Sequence, residues 1–190
     1  MTTQFRFISA QQPEFASVCK LYTNSFPPDE RRPIEQLRHI ALNQSRFSIV
    51  GIFVEQPPLQ PRNRFAGFIS FWRFDDFIYV EHLATEPHLR GGGLGRELIE
   101  HLKALAGYLP VILEVEPPVN DIASRRIAFY KRLGFTLHED FPYIQPAYSP
   151  ATQPIALNLM SHNLPHEAPT FEVLRSYAHT IALQVYHNYY

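Results

Sequence analysis

The stretch His82-Leu83-Ala84-Thr85-Glu86-Pro87-His88-Leu89-Arg90-Gly91-Gly92-Gly93-Leu94-Gly95-Arg96 decides how this chain is read. Three consecutive glycines admit positive φ and let a ligand come close to the main chain, so that successive N–H groups converge on an anion. A helix starting just after them adds four unpaired N–H groups and the positive end of its dipole. Upstream, Phe77, Tyr79, Glu81 and Leu83 alternate with Ile78, Val80, His82 and Ala84, which predicts a strand with apolar residues on both faces. That alternation places His82 opposite Glu81. Downstream, Leu94, Leu98, Leu102 and Leu105 recur at three- and four-residue steps, with Ile99 widening the stripe, which predicts an amphipathic helix. Strand, glycine turn and helix are contiguous, an arrangement suited to holding phosphate.

Two familiar phosphate motifs fit this run poorly. A P-loop needs Gly-x-x-x-x-Gly-Lys-Ser/Thr, and no Lys-Ser or Lys-Thr pair follows these glycines. A dinucleotide-binding turn needs Gly-x-Gly-x-x-Gly, whereas Gly91, Gly93 and Gly95 run on into Arg96, Glu97 and Leu98. The run instead matches Arg/Gln-x-x-Gly-x-Gly/Ala, with Arg90, Gly93 and Gly95 in the defining positions, and so resembles the acyl-CoA pyrophosphate loop of the GNAT superfamily of N-acetyltransferases. A second segment, Arg126-Ile127-Ala128-Phe129-Tyr130-Lys131-Arg132-Leu133-Gly134-Phe135, is similar to the family's later helix, which carries a tyrosine near its end and stops at Gly-Phe. Gly134 suits the left-handed conformation that commonly ends a helix. Between the two, Val111 to Glu116 reads as a short buried strand.

The resemblance spans residues 5 to 160 and implies an α/β fold with a mixed sheet, the GNAT-like acyl-CoA N-acyltransferase fold. Its two central parallel strands splay at one end, and an extra C-terminal helix follows the core. It also implies acetyl-CoA as co-substrate. Pantetheine amides would pair with the main chain of Leu83, Ala84 and Thr85, much as a peptide adds to a sheet edge. Leu89, Arg90, Gly91, Gly92, Gly93, Leu94, Gly95 and Arg96 would hold the pyrophosphate.

Transfer of an acyl group from a thioester to an amine needs a base, an oxyanion donor and a proton for the departing thiolate. A primary amine with pKa ~10.4 is mostly protonated at neutral pH. Glu81, on the strand entering the loop and on the same face as Tyr79, is the leading base, with Glu114 and Glu116 as alternates. The resemblance places the Tyr130 hydroxyl near the cofactor sulfur, and a phenol stays protonated at neutral pH, so Tyr130 is the acid. A strand N–H near Leu83 is the oxyanion donor. Many relatives carry an asparagine seven residues before the tyrosine, where this chain has Ala123; Asn120 and Asp121 read as helix N-cap residues. The acceptor would enter between Phe26 to Arg32 and Tyr143 to Tyr148. There Glu30 attracts a cationic amine and Tyr143 and Tyr148 form an aromatic wall, with Tyr79 beside them.

Composition bounds the rest. The 190 residues are 45% hydrophobic and 18% charged, enough for one sizeable core, and are read as a single domain over 1–190 with a helical extension from 165 to 190. The net charge of -1 argues against a nucleic-acid partner, which needs a basic face. The single cysteine, Cys19, lies on an apolar face and forms neither an internal disulfide nor a cysteine metal cluster, and no metal is expected. No apolar run approaches the roughly 20 residues needed to span a bilayer, and no secretory signal opens the chain, so the cytoplasm is the expected compartment. The acceptor is expected to be a small-molecule amine; a peptide or protein amine, or a non-catalytic acyl-CoA sensor, are the alternatives.

Remaining elements are a strand at Phe5 to Ile8, helices from Pro13 to Asn24 and from Pro33, strands at Phe47 to Val54, Phe65 to Phe74 and Ile155 to Met160, and a proline-rich turn from Gln56 to Asn63. A strand starts at Phe135, and Phe141 to Pro154 reads as a loop. Thr170 to Val185 reads as a helix covering the sheet, with pairing to another subunit as the alternative. Tyr186, Tyr189 and Tyr190 are expected to fray.

Overall fold

A computed structural model describes residues 2–55, 64–165 and 169–186; the turn from Gln56 to Asn63 and the last two tyrosines lie outside them. In chain order the elements are β1 (Thr3–Phe7), α1 (Glu14–Ser25), α2 (Ile34–Asn43), β2 (Phe47–Val54), β3 (Arg64–Arg73), β4 (Ile78–Thr85), α3 (Leu94–Ala106), β5 (Val111–Val115), α4 (Asp121–Arg132), β6 (Thr136–Gln145), β7 (Ile155–His162) and α5 (Thr170–Ile181). The strands form one seven-stranded sheet in the order β1-β2-β3-β4-β5-β7-β6. Every neighbouring pair is antiparallel except β4 and β5.

Two apolar layers sandwich the sheet. On one face Phe15, Val18 and Tyr22 of α1, Leu37 and Ile40 of α2, and Leu174, Tyr177 and Ile181 of α5 pack on Phe68, Trp72, Phe77 and Ile112. On the other, Leu94, Leu98, Ile99 and Leu102 of α3 and Ile127 of α4 pack on Ile69, Ile78, Val80 and Leu113. The leucine stripe of α3 therefore faces inward as its spacing requires, and each fully buried side chain contributes about 1.5–3 kcal/mol. Asn120 caps α4, its side-chain oxygen accepting the Ala123 N–H at 2.9 Å.

The geometry that matters lies at the centre of the sheet. β4 and β5 pair only through Ile78↔Val111, Tyr79↔Ile112 and Val80↔Leu113, and then separate. On the other side of β4, Ser70 pairs with His82 and Phe71 with Val80, so Glu81 is an extra residue bulged out of the ladder. A bulge turns successive side chains to the same face. Glu81 and His82 consequently both point into the layer of α1 and α2, which corrects the strict alternation read from the sequence: Glu81 meets Trp72, and the His82 ring lies against Tyr22 and Phe26 at centroid distances of 4.7 and 4.5 Å.

Two further expectations are revised. β6 runs to Gln145 rather than giving way to a loop at Phe141, because a register irregularity between His138 and Tyr143 lets it resume pairing with β7. Tyr186 does not fray: it is fully buried at the end of a π-helical turn, Ala182–Tyr186, that continues α5.

Candidate active site

The splay opens a cleft of about 350 Å³, lined by Glu81 to Thr85 of β4, Leu113 to Val115 of β5, Glu116, Tyr130 and Tyr148, among others. The glycine loop adjoins it through Arg90. Gly91 and Gly93 sit at φ 84° and 85°, and Gly93 is the N-cap of α3. Among the described residues, the N–H groups of Gly91, Gly93, Leu94, Gly95 and Arg96 meet no main-chain acceptor. Unpaired donors at the positive end of a helix are the groups that an anion favours. Leu83, Ala84, Thr85 and Arg90 line the cleft, and past Val80 the β5-facing edge of β4 has no strand partner among the described residues. Leu94 is buried in the core and so presents only main chain to a ligand, while the half-buried Leu89 packs against the core.

The expected base is not placed as a free carboxylate. Glu81 accepts from Arg32 Nε at 2.8 Å and from Trp72 Nε1 at 2.6 Å, and side chains 81 and 32 are 1% and 0% exposed. Burial works against its ionisation, but the Arg32 guanidinium, assisted by Trp72, holds the carboxyl below the ordinary carboxylate range. Arg32 also donates to the Val185 carbonyl at 2.6 Å and lies 4.8 Å from the Tyr148 ring centroid. Nothing in the loop segment Arg31-Arg32 signals a buried cation; its partners are 49 and 153 residues away.

Glu114, an alternate in the sequence reading, occupies the other lip of the split. It is half-buried, and the Tyr143 and Tyr186 hydroxyls donate to it, Tyr186 at 3.0 Å to Oε2. Desolvation outweighs these donors and pushes its pKa up to about 7. Tyr79 is fully buried and bonds the Tyr186 hydroxyl at 2.8 Å, behind the cleft wall; Tyr143 likewise stands behind Glu114, whereas Glu30 and Tyr148 line the cleft. Glu116 is occupied by Arg126 at 2.5 Å.

His82 is buried, with Nε2 2.9 Å from the Glu30 carbonyl. That bond needs a protonated Nε2 and leaves Nδ1, which meets no partner among the described residues, as the lone-pair nitrogen of a neutral ring; burial lowers its pKa accordingly. Tyr130 comes from the opposite layer. Its ring packs edge-on against Phe129 and Phe135, and burial raises the phenol to about 12, so it is protonated throughout the neutral range.

A mixed sheet split between its two parallel strands, with a glycine loop adjoining the split and ionisable groups inside, defines the acyl-CoA N-acyltransferase class. The Acetyltransferase (GNAT) family profile matches residues 15–135, and the chain belongs to this family, whose co-substrate is acetyl-CoA. A structure from Bacteroides thetaiotaomicron, provisionally named a GNAT-family acetyltransferase, is 36% identical over 96% of this chain and 98% of that one, with a TM-score of 0.81. YjbC of Bacillus subtilis (strain 168), provisionally named an acetyltransferase, is 38% identical over 77 residues, 40% of this chain and 39% of that relative. The fold is also that of Arabidopsis thaliana NAA60 in complex with acetyl-CoA, at 16% identity over 85% of this chain and 98% of that one, and a TM-score of 0.64. No helix among the described residues is long and apolar enough to cross a membrane.

Proposed function

We propose that the cleft transfers the acetyl group of acetyl-CoA to the primary amine of a small molecule by direct attack, with Glu114 as base and Tyr130 as acid. The carrying observation is the place of the Glu114 carboxyl, just past the last β4–β5 pair and lining the cleft, where the Tyr143 and Tyr186 hydroxyls hold it and desolvation raises its pKa to about 7. A group with that pKa is half ionised at neutral pH, near the optimum for a general base. Glu81 is assigned instead as the fixed anion that keeps Arg32 in place.

In this reading the free amides of Gly91 and Gly93 to Arg96 hold the diphosphate, and the open edge of β4 at Leu83 to Thr85 receives the pantetheine amides. The amine nitrogen forms its bond to the acetyl carbon as Glu114 takes its proton; the carbon–sulfur bond breaks, and Tyr130 gives its proton to the thiolate. Glu30 and Tyr148 favour a cationic acceptor. Support for a small acceptor comes from the cleft volume, which lies at the small-ligand end of pocket sizes and is shared with the pantetheine arm.

Release of free thiol from acetyl-CoA over a panel of polyamines, amino acids, aminoglycosides and short peptides tests the proposal. Turnover on a small amine, lost in Glu114→Gln, is the expected result. Turnover confined to peptides refutes the small-molecule assignment, and tight cofactor binding without turnover on any acceptor refutes catalysis.

A further inference from the structure

The C-terminal segment reaches Glu114, a residue of the cleft wall, from outside the strands and loop that build the cleft. After α5 the chain makes the π-helical turn Ala182–Tyr186, a rare conformation that concentrates at functional sites. Arg32 fixes this turn: Nη2 donates to the Val185 carbonyl at 2.6 Å, and the guanidinium carbon lies 5.9 Å from the Tyr186 ring centroid. Since Arg32 is bound to Glu81 of β4, the turn is tied to the bulge at the strand split. It delivers one hydroxyl. Tyr186 Oη donates to Glu114 Oε2 at 3.0 Å and lies 3.3 Å from Oε1, with the Tyr79 hydroxyl at 2.8 Å and that of Tyr148 at 3.5 Å.

We propose that Tyr186 is a positioning residue of the transfer site, holding the Glu114 carboxylate toward the cleft and making the C-terminal turn part of the active site. The inference rests on Glu114 acting as base. Tyr143 reaches the same carboxylate from β6, so two phenols on separate elements fix its orientation. Groups facing Glu114 are Tyr79 and Glu81 from β4, Tyr143 from β6, Tyr148 from the loop after it, and Tyr186, with His82 and Arg32 beyond. Replacing Tyr186 by phenylalanine removes a donor to the ionised form, together with the hydroxyl's bonds to Tyr79 and Tyr148.

The test is carboxyl-carbon NMR titration of glutamate-labelled protein, with the Glu114 resonance assigned by Glu114→Gln, beside the pH profile of kcat/KM. In Tyr186→Phe the Glu114 midpoint is expected to rise by about one pH unit, because a hydrogen bond to the charged form is lost. The ionised fraction at pH 7 then falls from about one half to about one tenth, a roughly fivefold loss in kcat/KM for the amine, with KM for acetyl-CoA unchanged. Tyr79→Phe, which keeps the Tyr186 hydroxyl but removes the phenol bonded to it and to the Glu114 site, is expected to shift the midpoint the same way, and it carries the test should Tyr186→Phe fail to fold. An unmoved midpoint overturns the role of Tyr186 alone. A moved midpoint with an unmoved rate profile overturns Glu114 as base and, with it, any part for Tyr186 in transfer.

Discussion

Replacing Arg32 by methionine measures the structural role assigned to Glu81. Both side chains are essentially inaccessible, and they meet at 2.8 Å. Removing one partner of a buried pair leaves the other charge uncompensated, at a cost of about 3–5 kcal/mol. For a chain of this size, each kcal/mol lowers Tm by about 2–4 °C, which gives a fall of about 6–20 °C. The pH dependence carries a sign. In the wild type, Glu81 has a depressed pKa, so its contribution is present above the unfolded value near ~4.3 and is lost as pH falls through the folded value. In Arg32→Met, burial outweighs the remaining Trp72 and His82 contributions and raises that pKa, so the penalty vanishes below the unfolded value and grows as pH rises toward neutrality. Urea unfolding of the wild type, Arg32→Met, Glu81→Gln and the double variant, at pH 4 and pH 7, measures each term. The double variant is expected to regain about 2 kcal/mol or more relative to Arg32→Met, since glutamine still accepts from Trp72 and no buried charge remains. A loss for Arg32→Met under about 0.5 kcal/mol, or one independent of pH, would refute the reasoning.

Gly93→Ala forces a side chain onto φ 85°, at an expected cost of about 1–2 kcal/mol in stability, together with weaker coenzyme A binding by calorimetry as the unpaired donors tilt. Tyr130→Phe is expected to lower kcat by about 10²-fold or more while leaving acetyl-CoA affinity intact; with the phenol near 12, it also leaves the pH profile below pH 9 unmoved, as stopped thiol-release assays can check. Asn120→Ala removes the cap of α4 and should cost about 1 kcal/mol by denaturant melts, without moving the pH midpoint of activity.

What was legible in the sequence was local. The triple glycine, the leucine stripe of α3 and the stop at Gly134 each report on a conformation set within a few residues, and Gly134 adopts φ 81° as that stop requires. The splay of β4 from β5 followed from the family resemblance, not from periodicity. Long-range features escaped. A bulge at Glu81 leaves no mark in a period-two pattern, yet it brings His82 to the same face and puts Glu81 within reach of Arg32. The proposal of Glu114 rather than Glu81 as base depends on which carboxylate meets a cation, and Arg32 reads as an ordinary loop charge until the fold closes over it. Tyr186 reads as the start of a polar tail because its partners, Tyr79 and Glu114, lie 107 and 72 residues away. The resumption of β6 after His138 depends on pairing with β7, which the proline and tyrosines of that stretch do not advertise.

Diffraction from crystals holding a non-hydrolysable acetyl-CoA analogue bears most directly on the site. The diphosphate should accept from the amides of Gly91 and Gly93 to Arg96, with the thioester mimic between Tyr130 and Glu114. Density for the diphosphate away from the glycine loop, or for the acyl end outside the gap between β4 and β5, would contradict it.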